Sequence, residues 1–134
     1  MDILIAIDKK DKKKFIKRAE KIKEMLEQRK IKVRGITTTK FLNINKNINN
    51  KTMCLLFSND AAYVKEICIG QNSNAICITS RLEASYILEI LEVVKDIHFL
   101  NTSTEEICER ILGYINLIEN RRKCMKNEFY FAEK

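Results

Sequence analysis

The sequence predicts an α/β fold, a doubly wound three-layer sandwich around a five-stranded parallel sheet in the order 2-1-3-4-5. Three observations predict it. Short unbroken apolar runs at 2–7, 52–58 and 74–79 suit strands buried on both faces. Segments of helical period alternate with these runs, which implies parallel pairing through right-handed crossovers. The 134 residues hold five strand-helix units with little left over, the length of one domain.

The first strand (DILIAI) ends at Asp8, and a helix follows from about 12 to 29. Phe15, Ala19, Ile22 and Leu26 share one face of it, and Asp11 is placed to cap it. Residues 31–37 alternate with the period of a strand. Residues 40–51 are ambiguous: the apolar residues fit a short helix, whereas the asparagines favour turns. TMCLLFS is a third strand, and a short helix follows it to about Gly70. NAICIT is a fourth. Ser80 and Glu83 have capping-box spacing for a helix to about Val94, IHFLN is a short fifth strand, and Ser103 with Glu106 repeats the box. The last helix is expected to end near Arg122, which divides the chain into a domain at 1–122 and a tail or linker at 123–134. That tail could equally extend the helix or pack back on the domain.

Composition excludes several classes. Hydrophobic residues make up 46% and charged residues 32%, which is globular rather than disordered. No apolar run approaches the length of a membrane span, and the N-terminus lacks the pattern of a signal peptide. The net charge of +7 falls wholly on residues 1–34, which hold 13 Lys/Arg against 6 Asp/Glu. Lys13, Lys14, Lys17, Arg18 and Lys21 make a basic surface on the first helix. It reads first as a solvated outer face, and second as a contact for nucleic acid, an anionic lipid surface or an acidic protein. The five cysteines show no CxxC spacing and fit a reducing, cytoplasmic setting. The glycines, at 35, 70 and 113, make neither a dinucleotide nor a P-loop motif. His98, the single histidine, has no second histidine to share a metal with.

In such a sheet chemistry sits at the carboxyl ends of the strands. Those ends carry Asp8 and Asp11, then Ser58, Asn59 and Asp60, then Thr79 and Ser80, then Asn101, Thr102 and Ser103. With DILIAID, TMCLLFSND, NAICIT and FLNTSTEEICERI in this layout, the chain resembles the receiver domains of bacterial response regulators, of the flavodoxin/CheY-like fold, over about residues 1–122. The resemblance implies a role for Thr79 in contacting a phosphoryl group. It also shows departures. The acidic pair after strand one aligns with Ile7 and Asp8, so one carboxylate is missing. Phe57 or Ser58 stands where the phosphoacceptor Asp belongs, with Asp60 a little late, and no Lys follows strand five. The chain thus looks like a degenerate receiver. Such domains are joined to response-regulator output modules or to ATPases of the ParA/MinD type.

The helix after Ser80 carries two apolar stripes. Ala84, Ile87, Leu88, Leu91 and Val94 are expected to face the core, which leaves Leu82, Tyr86, Ile90 and Val93 as a surface stripe, with Leu112 spare on the last helix. The resemblance supports a dimer surface on these two helices. The leading expectation is a non-catalytic regulatory domain for two-component signalling or localisation, acting by protein association and needing no cofactor. A second reading keeps phosphorylation, with Asp60 as phosphoacceptor and Asp8 and Asp11 holding Mg²⁺. A third is a small enzyme or ligand carrier that uses Thr79 and Asn101.

Overall fold

A computed structural model describes residues 2–39, 52–68 and 74–132, with the side chains of 39 and 121–132 outside the description. Its strands are β1 (Asp2–Asp8), β2 (Val33–Thr39), β3 (Thr52–Phe57), β4 (Asn74–Thr79) and β5 (Asp96–Phe99). The described helices are α1 (Lys12–Gln28), α2 (Ala61–Cys68), α3 (Ala84–Leu91) and α4 (Thr104–Ala132), with a 3-10 turn at Lys9–Asp11. The five strands pair in parallel in the order β2-β1-β3-β4-β5, as the alternation of runs and helices predicts. The ambiguous stretch at 40–51 lies outside the described residues.

The period of two along each strand builds two cores. Ile3, Ile5 and Ile7 of β1 join Met53, Leu55 and Phe57 of β3 and Ile76 and Ile78 of β4 beneath α1 and α4. Phe15 meets Phe57 edge to face at 5.7 Å there, and Ala19, Ile22 and Leu26 are buried as their spacing predicts. Leu4, Ala6, Cys54, Leu56, Ala75 and Cys77 face the other way, beneath α2 and α3. Burial without a partner cation pushes the Cys54 thiol far up and Cys77 up to about 12, so both behave as small apolar residues.

Local chemistry sets the ends of the elements. α1 closes with Ile31 N–H on the Leu26 carbonyl and Lys30 N–H on Glu27, with Lys30 in the left-handed region at φ 63°. In β2, Arg34 is an extra residue against β1, and Gly35 takes φ 143° where the register shifts. Ser103 caps α4 by accepting the Glu106 N–H, as its spacing predicts. The Ser80 box does not form. α3 starts after Glu83 with no side-chain cap, because the Ser80 hydroxyl is taken by Asn59. α4 runs on to Ala132, past the helix end near Arg122 that the sequence predicts.

The phase of α3 is also corrected. Tyr86 and Ile90 are 2% and 0% exposed and belong to the core, not to a surface stripe. Val93 is partly buried against the same core, and Leu112 against the α1/α4 core. Leu88 and Leu91, expected inside, are 65% and 47% exposed, and Leu82 is 63% exposed. Both stripes were apolar enough to be the inner one. Burial of the Tyr86 ring with its hydroxyl on the Ser58 carbonyl goes with the observed choice.

Candidate functional site

The site at the strand ends is built around the loop 58–60. β1 delivers Asp8 into a nearly fully buried position, and its Oδ1 accepts the Lys10 N–H at 3.1 Å, which forms the 3-10 turn. Its Oδ2 accepts the Ser58 hydroxyl at 2.9 Å. Ser58 Oγ in turn accepts the Asp60 N–H at 2.9 Å. Asp60 then starts α2: Oδ1 accepts the Ala62 N–H at 2.9 Å, and its carbonyl accepts the Val64 N–H. Its Oδ2 receives Lys10 Nζ at 2.6 Å. The Lys10 ammonium holds the Asp60 carboxyl below the usual carboxylate range, and Asp60 raises the lysine in return.

β4 joins this loop through Thr79, which is fully buried and donates its hydroxyl to Asn59 Oδ1 at 2.7 Å. Asn59 Oδ1 also accepts the Ser80 N–H, and its Nδ2 donates to Ser80 Oγ. Arg81 covers the group. Its backbone N–H donates to Thr79 Oγ1, its Nη1 to the Asn59 carbonyl at 3.2 Å, and its guanidinium lies 4.4 Å from the centre of the Tyr86 ring. Asp11 is peripheral: its Oδ2 lies 3.4 Å from the Asn59 N–H.

Asp8, Asp60 and Thr79 therefore meet the same three-residue loop. What they do there is satisfy one another and the backbone. Ser58, at the end of β3, is fully buried and donates to a carboxylate, so its oxygen is unavailable to an incoming group. Phe57 points into the α1/α4 core. Among the described residues no three carboxylate, imidazole or thiol groups converge closely enough to hold a metal ion.

The end of β5 stands apart. Arg18 turns away from the basic face, donating to the carbonyls of Thr102 at 2.7 Å and Leu100 at 3.0 Å and to Thr104 Oγ1 at 2.9 Å. Its assignment to the basic surface is corrected: it is a clamp on the β5–α4 loop, and Lys13, Lys14, Lys17 and Lys21 remain exposed. A shallow cleft of about 360 Å³, lined by Ser80, Leu82, Phe99, Leu100 and Asn101, lies between the ends of β4 and β5. His98 is buried on β5, with Nε2 3.1 Å from Asp96 Oδ2 and Nδ1 3.5 Å from Arg110 Nη1. Burial outweighs Asp96 and lowers its pKa below the ordinary value.

The sequence places Asn59 at the strand ends without its bonds, puts Tyr86 on a surface stripe instead of in this network, and gives no sign of Arg81. Nothing in their spacing marks them, since each acts across strands through tertiary contacts. The weak available signal was Asn-Asp directly after a buried strand, which favours side-chain bonds to local backbone.

No helix among the described residues is long and apolar enough to cross a membrane. No family model matches the chain, and no curated protein matches it. Solved structures do. A two-component response regulator from Clostridium difficile superimposes with a TM-score of 0.62 at 21% identity, over 91% of this chain and 98% of the other. A pilus assembly protein (cpaE) from Burkholderia thailandensis gives 0.60 at 10% identity, over 87% of this chain and 99% of the other. With the strand order and the position of the loop 58–60, these likenesses establish that the chain has the receiver fold, an α/β sandwich of the flavodoxin/CheY-like kind.

Proposed function

We propose that this receiver-fold domain regulates by binding another protein and does not carry a phosphoryl group. The observation that supports this most is the closure of the loop 58–60: the Asp8 carboxylate accepts from Ser58 and Lys10, and Asp60 is divided between the α2 cap and Lys10. A group so engaged must break several hydrogen bonds before it can act as a nucleophile. The neighbours, a response regulator and a pilus assembly protein, accord with a signalling or localisation module.

Incubation with acetyl phosphate and Mg²⁺, followed by intact mass measurement, is expected to add no phosphoryl group. An adduct that Asp60→Asn abolishes would instead establish the second reading, for which Asp60 is the best placed carboxylate because it is half-exposed and beside a lysine.

The contact face favoured by this reading comprises α3, β5 and α4, and a second copy of the chain is the first partner to test. Leu88 and Leu91 on α3 and Leu117 on α4 are exposed apolar side chains, and Leu117 lines a shallow cleft of about 380 Å³ with Asp96, Arg110, Gly113 and Tyr114. Sedimentation of the wild type against Leu88→Glu/Leu91→Glu tests it. A wild type that stays monomeric at high concentration would remove the homodimer.

A further inference from the structure

We propose that the lysine ridge formed by the 3-10 turn and the N-terminal half of α1 binds the phosphate backbone of nucleic acid without reading its sequence. Lys9, Lys13, Lys14, Lys17 and Lys21 are all exposed. Among the described residues none of them has a carboxylate within ion-pairing distance. The C-terminal half of the same helix differs: Lys23 pairs with Glu27 at 2.8 Å, and Arg29 just beyond it pairs with Glu109 at 2.6 Å.

The ridge sets like charges next to one another, with Glu20 and Glu24 as the nearest acidic residues on the helix, three residues beyond Lys17 and Lys21. Cations gather at the positive end of the helix dipole, and Lys13, Lys17 and Lys21 follow one another at i, i+4 as like charges. A general lysine-rich composition does not explain this, because residues 35–134 carry 12 basic and 12 acidic residues. An anionic ligand that neutralises the ridge relieves the repulsion.

The chemistry of the ridge selects among anions. A membrane-surface helix needs an apolar face beside its lysines, and α1 spends that face on the core through Phe15, Ala19, Ile22 and Leu26. A protein interface is poor in lysine and is anchored by aromatic side chains or arginine. The ridge offers neither, since Arg18, the single arginine of α1, is turned inward to the β5–α4 loop. Point charges on a convex helix, about 6 Å apart along the axis at i, i+4 spacing, suit repeated phosphates. They carry no group for base readout.

The test is fluorescence anisotropy of the full chain with a labelled mixed-sequence DNA duplex. Binding is expected at 50 mM salt, with a log–log salt slope of about −4.5 if the ridge neutralises a phosphate with each of these lysines. Affinity then falls about 500-fold between 50 and 200 mM salt. Lys13→Glu/Lys17→Glu/Lys21→Glu should lose at least about 100-fold with an unchanged circular dichroism spectrum. The milder Lys17→Gln should reduce the slope by about 0.9, and it keeps the test decisive if the triple variant unfolds. No binding at 50 mM salt, an unchanged slope in Lys17→Gln, or tighter binding to polyglutamate or to anionic phospholipid vesicles than to the duplex would each overturn the proposal.

Discussion

The strand ends and the outer face of α3 have opposite economies. At the strand ends almost every group is polar, and the groups are used up on each other: Asp8 on Ser58, Thr79 on Asn59, Asp60 on Lys10. On α3 most groups are apolar, and some are used on nothing, with Leu88 and Leu91 left in solvent beside Leu82 of the preceding loop. The first region has the composition of an active site and the bonding of a structural joint. The second has the composition of a core and the exposure of a surface. Composition alone therefore misassigns both. What distinguishes them is whether each group has a partner, and that is a tertiary property.

The largest expected effect separates the two stripes of α3. Ile90→Ala should cost about 2–5 kcal/mol in urea unfolding because it opens a cavity in the α2/α3 core, whereas Leu88→Ala should stay within about 0.5 kcal/mol of wild type. Equal costs would mean that Ile90 is no more buried than Leu88, and that the stripe of Tyr86, Ile90 and Val93 faces outward after all.

Next is the joint at the strand ends. Ser58→Ala leaves the Asp8 carboxylate short of a donor and the Asp60 N–H short of an acceptor, both beside a buried position. Its cost should be about 1–3 kcal/mol, read from the same urea midpoints. If the midpoint does not move, the loop is not held by this network, and the argument against phosphorylation weakens with it.

The smallest effect concerns His98, on the strand that borders the uncovered face. Its folded-state pKa is lowered, chiefly by burial, so the unfolded chain takes up the proton first as the pH falls. The neutral histidine is compatible with full stability above the unfolded value of about 6.5, and stability declines below it toward the lower folded value. The facing charges are Asp96 on its own strand and Arg110 and Glu106 on α4, and Arg110 acts in the same direction as burial. The urea midpoint should therefore drop between pH 7 and pH 5 in the wild type and drop less in His98→Gln. Parallel curves would remove His98 from the pH response.

Much of the framework was legible in the chain. The apolar runs in DILIAID and TMCLLF suit strands buried on both faces, because no polar residue interrupts them to mark a wet side, and their shortness favours strand over helix. Phe15, Ala19, Ile22 and Leu26 announced the buried face of α1 because the opposite face is charged. α3 lacked that contrast: both stripes were apolar, so the period was readable and the phase was not. The same limit explains Ser80. Its spacing to Glu83 favoured a cap, but a hydroxyl bonds to whichever partner the fold brings, and the fold brought Asn59. Arg18 sat among lysines in the sequence, and only the return of the chain at 100–104 revealed acceptors for its guanidinium.

The sequence by itself determined the number of layers, the parallel sense of the strands and the inner face of α1, because alternation, length and hydrophobic period are local quantities that survive without knowledge of neighbours. It also located the excess charge on the segment 1–34. The tertiary structure alone decided which α3 stripe is buried, that the polar strand ends close on themselves around Ser58 and Asn59, and that Lys13, Lys14, Lys17 and Lys21 of α1 stand without acidic partners among the described residues while Lys23 pairs with Glu27. Each of these depends on pairing between groups far apart in the chain, and hydrogen bonds, ion pairs and burial acquire their values only once those distances are fixed.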